Sequence, residues 1–335
     1  MLSSHCITAL DVHVAGEPLR VITGGFPELP GRNILEKRRA CRERYDHLRR
    51  AVIFEPRGHN DMYGCLIVPS ETPAADVGAV FFHNDGYSTM CGHGIIGLVS
   101  VLIEHGLVSE KGSSATVRIE TPSGLVQAKA VIRDGRVRSV AFRNVPSFVV
   151  ALDETVDVSG VGRVRYDLAF GGAFYAFCRA EDVGAELKPE HASALRQLGM
   201  EIKTAIARSR QIVHPEEPEL GFLYGTIFWG MPERAEARCR HVCIFADGAL
   251  DRSPTGTGVS AHLAIRAARG IQSMDEPWVC ESILGTTFTG RMVQALDYHN
   301  RPAIIPEIEG RAFLTGQHEF VLDPEDPLCE GFRLR

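Results

Sequence analysis

Two short segments of the chain join a side chain able to do chemistry to glycines that expose backbone amides. In the first, Cys91 is followed by Gly92, His93 and Gly94, and then by an apolar run to His105. Glycines let the backbone turn its N–H groups inward without Cβ clashes. Amides at a helix start bind anions such as a substrate carboxylate, and the positive helix end favours a thiolate. A thiolate beside a carboxylate-binding nest can take the proton from the adjacent carbon. The nest then stabilises the charge that develops on the carboxylate. Taken alone, Cys91 also fits the commoner reading of a buried structural thiol.

The second segment repeats the backbone pattern without the thiol. Thr255 precedes Gly256, Thr257 and Gly258, with Asp251 and Arg252 just upstream. A threonine hydroxyl is far too weak an acid to exchange protons as a thiol does. Thr255 therefore also fits a helix N-cap, and Asp251 a loop residue. Between Gly58 and Gly64, His59 and Asp61 fit either a site wall or a local turn network. His83 and Asn84 are candidates to support the Cys91 turn. Glu281-Ser282 fits a surface pair or a site wall. No metal site is expected: H-x-x-x-H and C-x-x-C spacings are absent, and Cys239 and Cys243 lie four apart in a strand-like segment. No P-loop or dinucleotide fingerprint is present.

Each turn needs a strand to lead into it and a helix to leave it. In the first half, strands are expected at Ile7–His13, Leu19–Thr23, Val52–Glu55, Gly64–Val68 and Val77–His83. Helices are expected at Asn33–Leu48 and Gly94–His105, followed by a meander over Ala115–Glu120, Leu125–Arg133 and Val137–Phe142. In the second half, strands are expected at Gly162–Ala169, Ala173–Arg179, Gly221–Trp229 and Arg238–Phe245. Helices follow at Pro189–Arg208 and Val259–Arg269. The last expected strands are Trp278–Ile283, Thr287–Leu296, Ala303–Gly310 and Arg311–Val321. The order recurs with a period of half the chain, which suggests two equivalent domains facing one cleft. Glycine-rich strand-to-helix turns are common, so the pattern alone leaves a chance likeness open.

The 335 residues allow one large domain or two ordinary ones. With 44% apolar and 23% charged residues, the chain has the makings of a packed core. A net charge of −6 offers no basic stripe for a phosphate backbone, so no nucleic-acid partner is expected. The longest apolar runs are too short to span a bilayer, so no membrane association is expected. The start does not read as a signal peptide. Nine cysteines without a pairing rhythm point to a reducing compartment, with the cytoplasm as default.

Thr89-Met90-Cys91-Gly92-His93-Gly94 and Asp251-Arg252-Ser253-Pro254-Thr255-Gly256-Thr257-Gly258 resemble the two signature turns of the proline racemase family. That family includes proline racemases, 4-hydroxyproline epimerases and trans-3-hydroxy-L-proline dehydratases. The likeness extends to Asp11–Pro18, Phe54–His59, Phe245–Gly248, Glu281–Ile283 and Gly316–His318, and so spans nearly the whole chain. It implies an α/β (α+β) fold of two pseudo-equivalent diaminopimelate epimerase-like domains. Each would be a curved sheet around a central helix, with the active site between them. The expected domains are 1–153, with 314–335 returning to it, and 154–313.

The resemblance also implies chemistry. Racemases and epimerases of the family carry a cysteine at both turns, one taking the α-proton and the other delivering one to the opposite face. They need no cofactor, neither pyridoxal phosphate nor metal. Cys91 matches the first cysteine, whereas Thr255 stands where the second should be. This departure resembles the trans-3-hydroxy-L-proline dehydratase branch; the alternative is a 4-hydroxyproline epimerase or proline racemase. Stereochemistry supports the first choice. In trans-3-hydroxy-L-proline the hydroxyl lies on the same ring face as the α-hydrogen, so water can leave without reprotonation from the far face. By motif position, His93 and Asp251 would bind the ring nitrogen. The amides of Gly92, His93, Gly256, Thr257 and Gly258 would hold the carboxylate. Phe245 matches a pocket aromatic, His59 and Asp61 would line the pocket, and Thr255 would be a wall that caps its helix. The expected partner is a small amino acid substrate, and the family implies a homodimer. An inactive homologue serving as a binding protein is the reading from another class, and intact Cys91, His93 and Asp251 speak against it.

Overall fold

The computed structural model describes residues 5–108 and 112–334. Within them the chain runs β1 (His5–Val14), β2 (Glu17–Gly24), α1 (Ile34–Arg44), α2 (Asp46–Ile53), β3 (Tyr63–Val68), β4 (Val77–His83), β5 (Gly86–Tyr87), α3 (Gly92–Glu104), β6 (Ser114–Thr121), β7 (Gly124–Arg133) and β8 (Arg136–Arg143). It continues with β9 (Ser147–Val158), β10 (Gly162–Phe170), β11 (Phe174–Arg179), α4 (Ala192–Ser209), β12 (Leu223–Gly230), β13 (Cys239–Phe245), β14 (Ala249–Asp251), α5 (Gly256–Ala268), β15 (Trp278–Glu281), β16 (Thr287–Asp297), β17 (Pro302–Gly310) and β18 (Ala312–Leu322).

Two compact units result. One contains the residues up to Val140 together with those from Arg311, and the other spans Ala141–Gly310. In the first, β18 pairs antiparallel with β1, and β1 with β2. Then β2 runs parallel to β3, β3 antiparallel to β4, and β4 antiparallel to β5 and parallel to β6. The β6–β7 hairpin follows. Helix α3 packs against β1, β2, β7 and β18, and every residue from Gly92 to Ile103 is buried. A helix apolar on all sides must be wrapped by its sheet.

The second unit repeats this order strand for strand. β9 pairs antiparallel with β10, and β10 with β11. Next, β11 runs parallel to β12, β12 antiparallel to β13, and β13 antiparallel to β14 and parallel to β15. β15, β16 and β17 follow antiparallel, and β17 pairs back onto β9 to close the sheet. Helix α5 occupies the place of α3, packed on β9, β10, β16 and β17.

A sequence echo of this repeat went unread above: Tyr63-Gly64 opens β3 and Tyr224-Gly225 lies at the start of β12. Gly64 faces Phe82 and Gly225 faces Phe245 across the ladder. A Cβ on Gly64 would come within 2.1 Å of the Phe82 ring, and one on Gly225 within 2.6 Å of the Ile244 carbonyl oxygen. Glycine lets the Phe82 ring pack directly over the backbone at 64 and lets the neighbouring strand's backbone approach closely at 225.

Two expectations are corrected. The segment read as one helix over Asn33–Leu48 is two, α1 and α2, with Tyr45 at the break. The expected strand at Val52–Glu55 is instead the end of α2, where Val52 and Ile53 join a core cluster with Leu48, Ala51 and Phe82. Ser147–Val158, left unassigned, is the long strand β9. By contact the units divide at Val140, inside β8, and at Arg311, and β9 is one continuous strand laddered along β10. Strand β18, from Ala312, returns the chain to β1 in the first unit. Among the described residues no helix is long and apolar enough to cross a membrane.

Candidate active site

Cys91 sits at the N-cap of α3 in an extended conformation, φ −144° and ψ 115°. Its Sγ accepts a hydrogen bond from the Gly94 amide at 3.2 Å and lies 3.2 Å from Nδ1 of His93. A thiolate charge there meets a helix-start N–H and an imidazole, the surroundings that activate a cysteine. Glycine is required at 94, since a Cβ would lie 2.6 Å from the Phe81 ring and 3.0 Å from Sγ. Both Cys91 and His93 are buried. The His93 ring is held edge-on by Tyr63, with centroids 4.8 Å apart, and the Tyr63 hydroxyl bonds Ser88 Oγ. The helix begins at Gly92, two residues before the sequence expectation, so the amides of Gly92 and His93 belong to its first turn.

Asn84 ties the neighbouring loop together. Its Oδ1 accepts from the Met62 amide, and its Nδ2 donates to the carbonyls of Ile53 and His59. The His59 side chain is exposed, with Nδ1 2.7 Å from the Asn60 carbonyl oxygen, and Asp61 holds a left-handed φ of 62°.

The second turn is built differently. Thr255 occupies the N-cap position of α5, but its side chain makes no capping bond, which corrects the expected cap. Its backbone sits at φ 65° and ψ 93°. A branched residue rarely adopts such a conformation. The Thr255 methyl side lies against Gly258, where a Cβ would meet it at 3.1 Å. The Thr255 hydroxyl is buried without a well-formed hydrogen bond, although it lies near enough to help hold down the Asp251 carboxyl.

Asp251 ends β14 opposite Cys243. Its Oδ1 accepts from the Ser253 amide at 2.8 Å. Burial pushes this carboxyl up, offset in part by the Ser253 and Thr255 hydroxyls and the Ser253 amide. Phe245 stacks on Tyr224, with centroids 5.5 Å apart and planes at 28°. Thr257 Oγ1 lies 2.7 Å from the hydroxyl of the buried Tyr175. Sequence reading missed Tyr63, Ser88, Tyr175 and Tyr224; only the Tyr-Gly repeat could have flagged two of them.

Glu281 is neither a surface residue nor a site wall. It is buried and grips Arg240 through both oxygens, at 3.0 and 3.3 Å. Burial pushes its carboxyl up, but Arg240 and the amides of Glu233 and Arg234 outweigh that and hold it below the usual range. Cys239, His241 and His262 are the one group of three that could hold a metal among the described residues. The two imidazoles are nearly coplanar, at 6°, with Nε2 of His241 2.8 Å from Nδ1 of His262. Their facing nitrogens share a proton at that distance, an arrangement of a hydrogen-bonded pair rather than of two ligands converging on an ion.

The family model for proline racemase matches residues 9–333. A trans-3-hydroxy-L-proline dehydratase of Colwellia psychrerythraea is 45% identical over 329 residues, covering 98% of this chain and 93% of that one. A human protein of the same name is 41% identical over 335 residues, covering 98% and 95%. Among solved structures, a probable proline racemase from Agrobacterium radiobacter superposes with a TM-score of 0.93 at 36% identity, covering 98% and 96%. A hydroxyproline epimerase from Agrobacterium vitis, with bound trans-4-hydroxy-L-proline, gives the same score at 34% identity and the same coverage.

Proposed function

This chain belongs to the proline racemase family, and from that premise we propose that it is a trans-3-hydroxy-L-proline dehydratase, a hydro-lyase. The names of its relatives, 41 to 45% identical over nearly the whole chain, support the reading. The observation that carries it is the unlike pair of turns. At one, a buried thiol lies against an imidazole and a helix-start amide. At the other stands a threonine, which has no proton to give at neutral pH.

In the proposed reaction Cys91 sulfur takes the α-proton as the C–H bond breaks. The electron pair forms the Cα=Cβ bond, and the 3-hydroxyl leaves from the same ring face with a proton, as water. The enamine tautomerises to 1-pyrroline-2-carboxylate, so substrate minus one water equals product. The carboxylate is assigned to the amides of Gly92, His93, Gly256, Thr257 and Gly258, where helix starts favour an anion. The ring nitrogen is assigned to His93 and Asp251, and Phe245 on Tyr224 to an aromatic wall. His59 and Asp61 are assigned to the pocket lining. Thr255 serves as a wall that offers no proton to the opposite face.

Incubation with trans-3-hydroxy-L-proline, following the cyclic imine, tests the reading. Turnover of proline or 4-hydroxyproline without loss of water, and none of the 3-hydroxy substrate, would overturn it in favour of the racemase or epimerase alternative. We further assign the protein to the cytoplasm as a homodimer. All nine cysteines are free thiols, which suits a reducing compartment, and the dimer follows the family resemblance.

A further inference from the structure

The peptide joining Pro254 to Thr255 is gripped on both edges. Its N–H donates to Ser253 Oγ at 3.1 Å. Its carbonyl oxygen lies 3.2 Å from Nδ1 of His241. A carbonyl can only accept, so Nδ1 of His241 carries the proton. With Nδ1 as the donor to the carbonyl, Nε2 of His241 faces Nδ1 of His262, 2.8 Å away, and accepts from its N–H. Both rings are buried. Burial, with His241 and two arginines nearby, pushes His262 well below the usual histidine range, which keeps it neutral.

The grip matters because of what it restrains. Thr255 has φ 65°, a conformation that costs a branched residue free energy. Rotating the preceding peptide plane by half a turn would bring φ back to negative values and relieve that cost. The same rotation would swing the Pro254 carbonyl off His241 and the Thr255 amide off Ser253. His241 projects from the same face of β13 as Cys243 and Phe245, by the two-residue period of a strand. It therefore reaches the turn from beneath, through core.

We propose that His241 and His262 are positioning residues, a two-histidine clamp that holds the Pro254–Thr255 peptide in its unrelaxed orientation and so aims the α5 turn at the substrate. His262 fixes the tautomer of His241, and His241 fixes the peptide. The clamp rests on the dehydratase reading for its purpose, but not for its existence.

Two substitutions separate the clamp from mere packing. His241→Asn places an amide N–H where Nδ1–H now sits and removes the ring. His241→Phe keeps the ring, which packs beside Trp278 and Phe177 with centroids 5.7 and 6.1 Å away, and removes the donor. Two measurements are made on each full-length variant: kcat/KM for trans-3-hydroxy-L-proline, and hydrogen exchange of the backbone amides of Ser253 and of Thr255 to Gly258. A clamp predicts near wild-type values for Asn, and for Phe a loss of about tenfold in kcat/KM with faster exchange. The reverse order would make His241 a packing residue and overturn the proposal, as would no change in either. If the wild-type protein does not dehydrate the substrate, the functional reading fails while the exchange measurement still decides the clamp. Should the Phe variant not fold, His262→Leu is expected to speed exchange of the same five amides. Unchanged exchange there overturns the proposal.

Discussion

Nδ1 of His93 stands 3.2 Å from Sγ of Cys91, two residues apart at the head of one helix, while the Gly94 amide points at the same sulfur from the next residue. The thiol is thus both the helix cap and the proposed base. At the second turn the two jobs are dissociated, because Thr255 neither caps nor ionises.

Cys91→Ser is expected to lower imine formation by about a thousandfold or more while leaving the melting temperature near wild type. Serine caps a helix at least as well as cysteine, so stability is retained while the base is lost. An active serine variant would place the base elsewhere.

Thr255→Cys supplies the second thiol that the chain lacks. The expected gain is exchange of the α-hydrogen of trans-4-hydroxy-L-proline with solvent deuterium, read by mass spectrometry, beyond the wild-type background. If the variant exchanges no faster than wild type, Thr255 does not stand opposite the base, and the reason for preferring dehydration over epimerisation falls with it.

Asp251 trades stability for function. Burial is the largest influence on its carboxyl and raises its pKa in the folded state. A raised folded pKa means that its contribution to stability is fully present below the unfolded value of about 3.9 and is lost as pH rises through the folded value. At neutral pH the ionised form is therefore a cost. Asp251→Asn keeps the acceptor for the Ser253 amide, and is expected to raise the melting temperature at pH 7 while depressing kcat/KM. A melting temperature that falls at pH 7 would show that the buried charge is compensated in the folded protein.

Gly171 is pressed against α5. A Cβ there would lie 2.2 Å from the Thr257 carbonyl oxygen and 2.5 Å from the Ala261 amide nitrogen, both backbone atoms that cannot swing aside. Gly171→Ala is expected to cost about 1–3 kcal/mol by urea unfolding. It should also weaken substrate turnover, because the displaced residues begin at the second turn. An alanine variant of wild-type stability would mean that the helix start can shift freely.

Much of the fold was legible from local pattern. A short, mainly apolar run marked β4 at its observed ends, Val77 and His83, and the glycine runs marked where α3 and α5 begin to within three residues. These signals are local: a strand's two-residue period and a helix's need for small residues at a crowded start are written within a dozen positions. Val52 and Ile53 misled because a short apolar run reads alike in a strand and at a helix end; packing against Phe82, far along the chain, decided between them.

In the candidate site, residue types beside glycines marked Cys91 and Thr255 as candidates with structural alternatives open, and the family resemblance supplied the roles of His93 and Asp251. Only the tertiary structure set Tyr63 edge-on to His93, buried Asp251 against Cys243, and drew His241 onto the Pro254 carbonyl. It also put Thr255 at a positive φ that no propensity for threonine would suggest. Such features arise from contacts between segments eight or more residues apart, whose energies outweigh the local preference of the residue they constrain.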